Sequence, residues 1–243
     1  MTWYELTRRL ASPLLPVVYS EVRRNLAGLI RSSGAARASI LDVGGRSSPY
    51  TIGLDADVTV LDVPREAELQ EKLQLGLDQR LLERLRHRRS NVRGVVLEDV
   101  TRCTLASRSF DGVVAVEVIE HLVDDQAFVR QIERVLRPGG WAFLTTPNGD
   151  YIPLEPGSNP DHQRHYTRAE LTELLGRFFP EVRVSYGVHT GPLRVRGLRP
   201  IHLRHPLRAI VTMTANVFNH LESRHLADRS QRTAHLFAMA RKP

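Results

Sequence analysis

Short β-branched runs that stop at an acidic residue recur along the first half of this 243-residue chain. Ser39–Val43 carries Asp42, Val58–Leu61 ends at Asp62, Gly94–Leu97 leads to Asp99, and Gly112–Val116 ends at Glu117. Runs of Val and Ile without polar alternation suit strands covered on both faces. Between them lie stretches with apolar residues at helical spacing. Strand alternating with helix predicts an α/β chain: a doubly wound, mostly parallel sheet with helices on both faces. Ligands of such sheets sit outside the carboxyl ends of the strands, near the point where strand order reverses. Asp42, Asp62, Asp99 and Glu117 are therefore expected along one rim.

The helical stretches are 17–30, with Val18, Val22, Leu26, Leu29 and Ile30 on one face, and 66–89, a charged helix or helix pair broken near Gly76. A third, 124–137, groups Phe128, Ile132, Val135 and Leu136 and is stopped by Pro138-Gly139-Gly140. A fourth, 168–179, follows Thr167 and Glu170, spaced as a capping box. Further strands are expected at 141–145, 182–188 and 235–240, making seven. The chain divides into an N-terminal helical segment 1–35, a core 36–190, a basic helical insertion 191–233 and a last strand of the core 234–243.

Charge is unevenly placed. The net charge is +7, yet residues 190–243 hold ten Arg and Lys against Glu222 and Asp228 alone. An acidic partner is thus expected at the C-terminal quarter. There Leu207, Ile210, Val211, Thr214, Val217, Phe218 and Leu221 repeat at helical spacing, behind Arg194, Arg196, Arg199, Arg204 and Arg208. That stripe suits a helix docked on the core or on a second subunit (a homodimer), a lid over a ligand, or a weak membrane-surface contact through 194–221. Aromatic interleaving among these arginines for stacking on bases is absent, which speaks against nucleic acid. The single cysteine, Cys103, excludes an internal disulfide and reads as a buried thiol. With no apolar run near the ~20 residues of a spanning helix and no secretory signal, the chain is expected to be cytoplasmic.

Asp42-Val43-Gly44-Gly45 closes the first strand. Paired glycines allow a tight turn and close backbone approach to a ligand, and the acid beside them suits a cationic group rather than a pyrophosphate. Asp62 ends the second strand, where a carboxylate accepts from ribose hydroxyls. Asp55 is its rival for that role. Asp99 is placed to accept from an exocyclic amine.

The succession ILDVGG, VTVLDV, LEDVTRCTLASRSFDGVVAVEVIEHL, RVLRPGGWAFLTTPN resembles class I S-adenosylmethionine-dependent methyltransferases, in particular their small-molecule and sugar subgroup. The resemblance spans about Ile40 to Val188 and the last strand, and implies a Rossmann-like fold. It implies that Asp42, Gly44 and Gly45 line the methionine moiety, Asp62 holds the ribose, Asp99 and Val100 flank the adenine, and Glu117 lies at the cofactor's edge. Arg46 and Ser48 stand where the family has its later glycines. About a dozen residues separate Gly45 from the second strand, leaving little room for the fold's first helix.

Methyl transfer to a hydroxyl needs a base, and histidine suits neutral pH. His121, just past the fourth strand, and His162 and His165, in N-P-D-H-Q-R-H-Y-T after the fifth, are the expected catalytic residues. The reading is therefore transfer from S-adenosyl-L-methionine to a small-molecule, sugar or envelope-glycan hydroxyl, without a resident metal. Two alternatives come from other classes. Glu117, Glu120 and His121 resemble the divalent-metal ligands of small-RNA 3′-end 2′-O-methyltransferases, which would make this a metal-assisted RNA enzyme. A catalytically inactive interaction protein of the same fold is the other.

Overall fold

The computed structural model describes residues 1–46, 49–63, 77–157, 159–188, 206–223 and 233–243, and of 77–82 and 222–223 the backbone alone. Seven strands form one sheet: β1 (Ala38–Val43), β2 (Ala56–Asp62), β3 (Val92–Leu97), β4 (Phe110–Val116), β5 (Leu136–Pro147), β6 (Glu181–Tyr186) and β7 (His235–Arg241). Their spatial order is β3-β2-β1-β4-β5-β7-β6. All neighbours pair in parallel except β7, which runs antiparallel to β5 and β6. The order reverses between β1 and β4, so a crevice opens above the carboxyl ends of those two strands.

Helices among the described residues are α1 (Trp3–Ala11), α2 (Val17–Ser32), α3 (Leu77–Arg88), α4 (Asp125–Val135), α5 (Arg168–Gly176) and α6 (Pro206–Ser223). Successive strand residues point to opposite faces, and the burial follows. Leu41, Val43, Val113 and Ala115 pack with Phe128 and Ile132 of α4 and Leu171 of α5. Ile40, Val114 and Val116 pack on the other face with Val18, Val22 and Leu26 of α2. This is the expected α/β sheet, with the helix over 17–30 extended to 32. The predicted helix over 66–76 lies outside the described residues.

Three local expectations change. Pro138-Gly139-Gly140 does not stop α4, which ends at Val135; Leu136 is already extended and opens β5. Phe110 pairs with Leu136 but Gly112 with Trp141, so the Pro-Gly-Gly triplet is an excursion in the ladder, with Gly139 at φ +76°. Between β1 and β2 the described residues 49–55 form turns, in keeping with the little room the sequence leaves there. The N-terminal segment carries a second helix, α1, joined to α2 by the short turn Ser12–Leu14.

The stripe in α6 is the third. The helix forms, but its small and polar face is inward: Ala209, Thr212, Ala215, Asn216 and Asn219 are buried. Leu207, Ile210, Val211, Val217, Phe218 and Leu221 are exposed. Docking runs through carbonyls that the Ser12–Leu14 turn leaves open. Asn216 Nδ2 donates to Leu14 O at 2.9 Å and His220 Nε2 to Leu15 O at 3.0 Å. Among the described residues no helix is long and apolar enough to cross a membrane.

Candidate cofactor cleft and histidine cluster

The end of β1 is shaped by its glycines. Gly44 takes φ +68° and donates its N–H to Leu61 O at 2.8 Å, turning the chain under β2. A Cβ on Gly45 would lie 2.4 Å from Asp42 Cγ, so the second glycine is required by the acid before it. Asp42 is buried, accepts from Thr51 Oγ1 and lies 4.0 Å from Arg89 Nη1. Burial pushes its pKa up to about 6, against the opposing pull of Thr51 and Arg89. Its Oδ1 has no hydrogen-bond partner among the described residues.

A cleft of about 360 Å³ opens beside this turn. Val43, Gly44, Leu61, Val100 and Leu122 form largely apolar walls, with Asp62, Glu98, Glu117 and His121 as polar groups. Asp62 Oδ2 accepts from Arg46 N at 3.2 Å and Oδ1 from Val63 N at 2.9 Å. Two backbone donors hold the carboxylate in place and leave lone pairs on each oxygen for ligand hydroxyls. Asp55 stands at the opposite end of β2, 3.1 Å from Arg37 Nη1 and 85% exposed, away from the cleft.

Asp99 does not line the cleft. Its Oδ1 caps the short helix Val100–Arg102 by accepting from Thr101 N at 2.9 Å and Thr101 Oγ1 at 2.7 Å. The acid that lines it at the end of β3 is the preceding one, Glu98, which also accepts from Thr104 N at 2.6 Å. Two adjacent acids leave strand parity as the only sequence signal between them, and parity lapses where the ladder stops.

At the end of β4, Glu117 adopts φ +54°, a left-handed conformation that costs a non-glycine residue on the order of 1 kcal/mol. Two bonds to Thr145 hold it there: Glu117 N–H donates to Thr145 O at 3.0 Å, and Thr145 Oγ1 to Glu117 Oε1 at 2.7 Å. Next comes the turn Ile119–His121, which aims His121 at the cleft and Glu120 inward. Glu120 is fully buried. Thr146 Oγ1 donates to its Oε2 at 3.2 Å, and Oε1 has no hydrogen-bond partner among the described residues. Burial, then the nearby Glu117 charge, raises its pKa to about 8.

The loop carrying the other histidines is tied to this turn by Gln163 N–H donating to Glu120 O at 2.7 Å. Carbonyl acceptors assign the tautomers. His165 Nδ1–H donates to Ile152 O at 2.6 Å, so its Nε2 accepts from His162 Nδ1–H at 2.7 Å. His162 Nε2 therefore keeps a free lone pair. His121 Nδ1–H donates to Asp161 O at 2.9 Å, which leaves its Nε2 likewise available. The His121 and His162 rings meet edge to face at 4.7 Å. Burial, then the flanking His121 and His165, lowers the His162 pKa below 6.5. Ligand atoms of Glu120, His121 and His162 lie within 4.8 Å of one another.

Of the expected site residues, then, Gly44, Asp62, Val100, Glu117 and His121 share one cleft, and His162 and His165 adjoin it through His121. Asp42 and Gly45 lie behind the turn. Thr51, Arg89, Glu98 and Thr145 carry no motif signal; their parts come from contacts across the fold. Arg164 pairs with Asp125 at 3.0 Å, and Cys103 is buried with no disulfide partner.

Residues 41–144 match the sequence profile described as a methyltransferase domain. A probable S-adenosylmethionine-dependent methyltransferase of Mycolicibacterium smegmatis is 44% identical over 105 residues, which cover 42% of this chain and 38% of that relative. A ubiquinone biosynthesis O-methyltransferase of Aeromonas salmonicida is 25% identical over 186 residues, 67% of this chain and 71% of that one. The chain thus spans well under half the length of the first relative. In fold, a Thermotoga maritima SAM-dependent methyltransferase, described as a possible histamine N-methyltransferase, superposes with a TM-score of 0.54 at 14% identity, over 98% of this chain and 95% of that one. The matched segment runs from the second half of β1 through most of β5, so it contains the residues lining the cleft, His121 among them. His162 and His165 lie beyond it in sequence and return to it in space.

Proposed function

We propose that this chain transfers a methyl group from S-adenosyl-L-methionine to a hydroxyl of a small-molecule, sugar or envelope-glycan acceptor. The observation that carries this reading is the meeting of two features at His121: the nucleoside-sized cleft with Asp62, and the cluster of three imidazoles. S-Adenosyl-L-methionine fits the residues present. The walls suit adenine, Asp62 retains acceptor capacity for ribose hydroxyls, and Gly44 keeps the backbone bare where the methionine portion would pass. When bound, the cofactor would supply an electrophilic methyl on a sulfonium, with the neutral thioether as a leaving group that would keep the S–CH₃ bond electrons. His162 Nε2 or His121 Nε2 takes the hydroxyl proton. His165 fixes the His162 tautomer, with the Ile152 carbonyl behind it. Proximity of nucleophile and methyl is worth roughly 7–11 kcal/mol when alignment is good.

The test is calorimetry with S-adenosylhomocysteine. Saturable binding that Asp62→Ala weakens at least about tenfold (~1.4 kcal/mol) is the expected result. Absence of binding at millimolar ligand sinks the reading and favours the inactive interaction protein.

A second reading, metal-assisted transfer, is favoured by the closeness of Glu120, His121 and His162 and by the orphaned buried oxygen of Glu120. Two imidazoles and a carboxylate fit a divalent cation. Bound there, such an ion would acidify an acceptor hydroxyl. This reading expects turnover to vanish on treatment with EDTA and return with Mg²⁺ or Mn²⁺; the first expects no such dependence. Transfer to a 3′-terminal ribose would then identify the acceptor as RNA.

A further inference from the structure

A second cavity, of about 370 Å³, lies between α1, the start of α2 and the turn 49–53. Its lining includes Glu5, Arg8, Arg9, Tyr19 and Arg23. The single carboxylate is already engaged. Glu5 accepts from Thr2 N at 2.6 Å, Ser90 N at 2.7 Å and Ser90 Oγ at 2.9 Å. Against it stand three guanidinium groups, and among the described residues no carboxylate lies within ion-pair distance of any of them. Arg8 lies over the Tyr4 and Tyr19 rings, at 5.6 and 5.9 Å. Arg23 Nη1 donates to the carbonyls of Tyr50 and Ile52, and its Nε and Nη2 find no acceptor among the described residues. Arg9 is exposed and unpaired among them.

Like charges gathered round one concavity repel, and the repulsion grows as water is removed. The fold carries a trace of it: Arg23 has its basicity lowered, first by burial and then by Arg9. Guanidinium groups present planar pairs of N–H donors that match the oxygens of phosphate and carboxylate. We propose that this cavity is a binding site for a phosphate-class oxyanion, held by Arg8, Arg9 and Arg23.

The anion has two available sources: a free phosphate, or a phosphoryl group carried on a larger ligand. Tyr19, on the wall of this cavity, stacks on Tyr50 at 5.0 Å, so a larger ligand anchored at the arginines would meet an aromatic surface beside them.

The test is calorimetry with inorganic phosphate at constant ionic strength, on the full chain. Expected is saturable binding that weakens at least about tenfold in Arg9→Glu and in Arg8→Gln, and is unchanged in Arg31→Glu on the far end of α2. S-Adenosylhomocysteine binding is measured on the same samples. It stays within about twofold in the Arg8 and Arg9 variants, so the phosphate site and the cofactor site fail or stand separately. Glucose 6-phosphate distinguishes the sources: affinity at least about tenfold above that of inorganic phosphate puts the anion on a larger ligand, and equal affinity makes it a free anion. The proposal is overturned if phosphate shows no saturable binding, or if it binds the two arginine variants as tightly as the parent chain.

Discussion

At the scale of single residues, the site depends on groups whose charge the fold opposes. Asp42 ordinarily loses its proton near 3.8, but in the folded chain burial keeps it until about 6. A proton held more tightly by the folded form stabilises fully below the unfolded pKa, and that stabilisation is lost as pH rises through the folded one. The shift corresponds to about 3 kcal/mol between roughly pH 4 and pH 7. Asp42→Asn keeps the shape and removes the titration. Urea unfolding should therefore show the variant changing less in stability than the parent between about pH 4 and about pH 7. Equal pH dependence of the two would refute the assignment.

His162 behaves oppositely. A histidine pKa lowered below 6.5 by burial leaves the imidazole neutral at physiological pH, ready to accept a proton. On the acid side, kcat should fall as this group protonates. His162→Ala should remove that limb of the profile and lower kcat about 10²-fold or more, with S-adenosylhomocysteine affinity nearly unchanged. A variant with parental kcat would move the role to His121.

At the scale of elements, the placement of His165 rests on the start of α5. Thr167 Oγ1 accepts from Glu170 N at 3.2 Å, and Glu170 Oε2 accepts from Thr167 N at 2.8 Å, closing the capping box. Thr167→Ala should cost about 1 kcal/mol in unfolding free energy. Glu170 is held below its usual pKa by the Thr167 backbone and hydroxyl donors, so its share of stability is present above the unfolded pKa and lost in acid. A loss confined to well below a few tenths of a kcal/mol would show that packing of Leu171 and Leu175, not the cap, starts this helix. The cap was legible because its two partners are three residues apart. The Pro-Gly-Gly triplet misled for the converse reason: a helix stop and a strand excursion use the same residues, and the pairing of Phe110 with Leu136 chooses between them.

At the scale of the whole molecule, α6 docks by contacts that no local pattern encodes. Asn216 meets Leu14 across 202 residues of sequence. Amphipathic spacing marked the helix, and the natural inference buried its apolar stripe; the available surface was a row of open carbonyls, which selects amide and imidazole donors instead. Ile210→Glu and Phe218→Glu, at side chains 59% and 50% exposed, should change stability by less than about 0.5 kcal/mol. Asn216→Ala, which removes the donor to the Leu14 carbonyl, should cost about 0.5–1.5 kcal/mol. Reversal of that ranking in thermal unfolding would mean that the outward stripe is covered in solution.

Strand and helix periods, the glycine pair after Asp42 and acids at four strand ends are relations between near neighbours, and with them the sheet and the gathering of Asp62, Glu117 and His121 at one of its edges could be read from the chain. Which carboxylate of Glu98 and Asp99 lines the cleft, how the buried Asp42 and Glu120 are partnered, and which tautomer His162 adopts are set by Thr101, Thr51, Thr146 and the Ile152 carbonyl. Ladder parity no longer governs a side chain once its strand has ended, and the environment that then aims and titrates it is assembled from segments far apart in sequence.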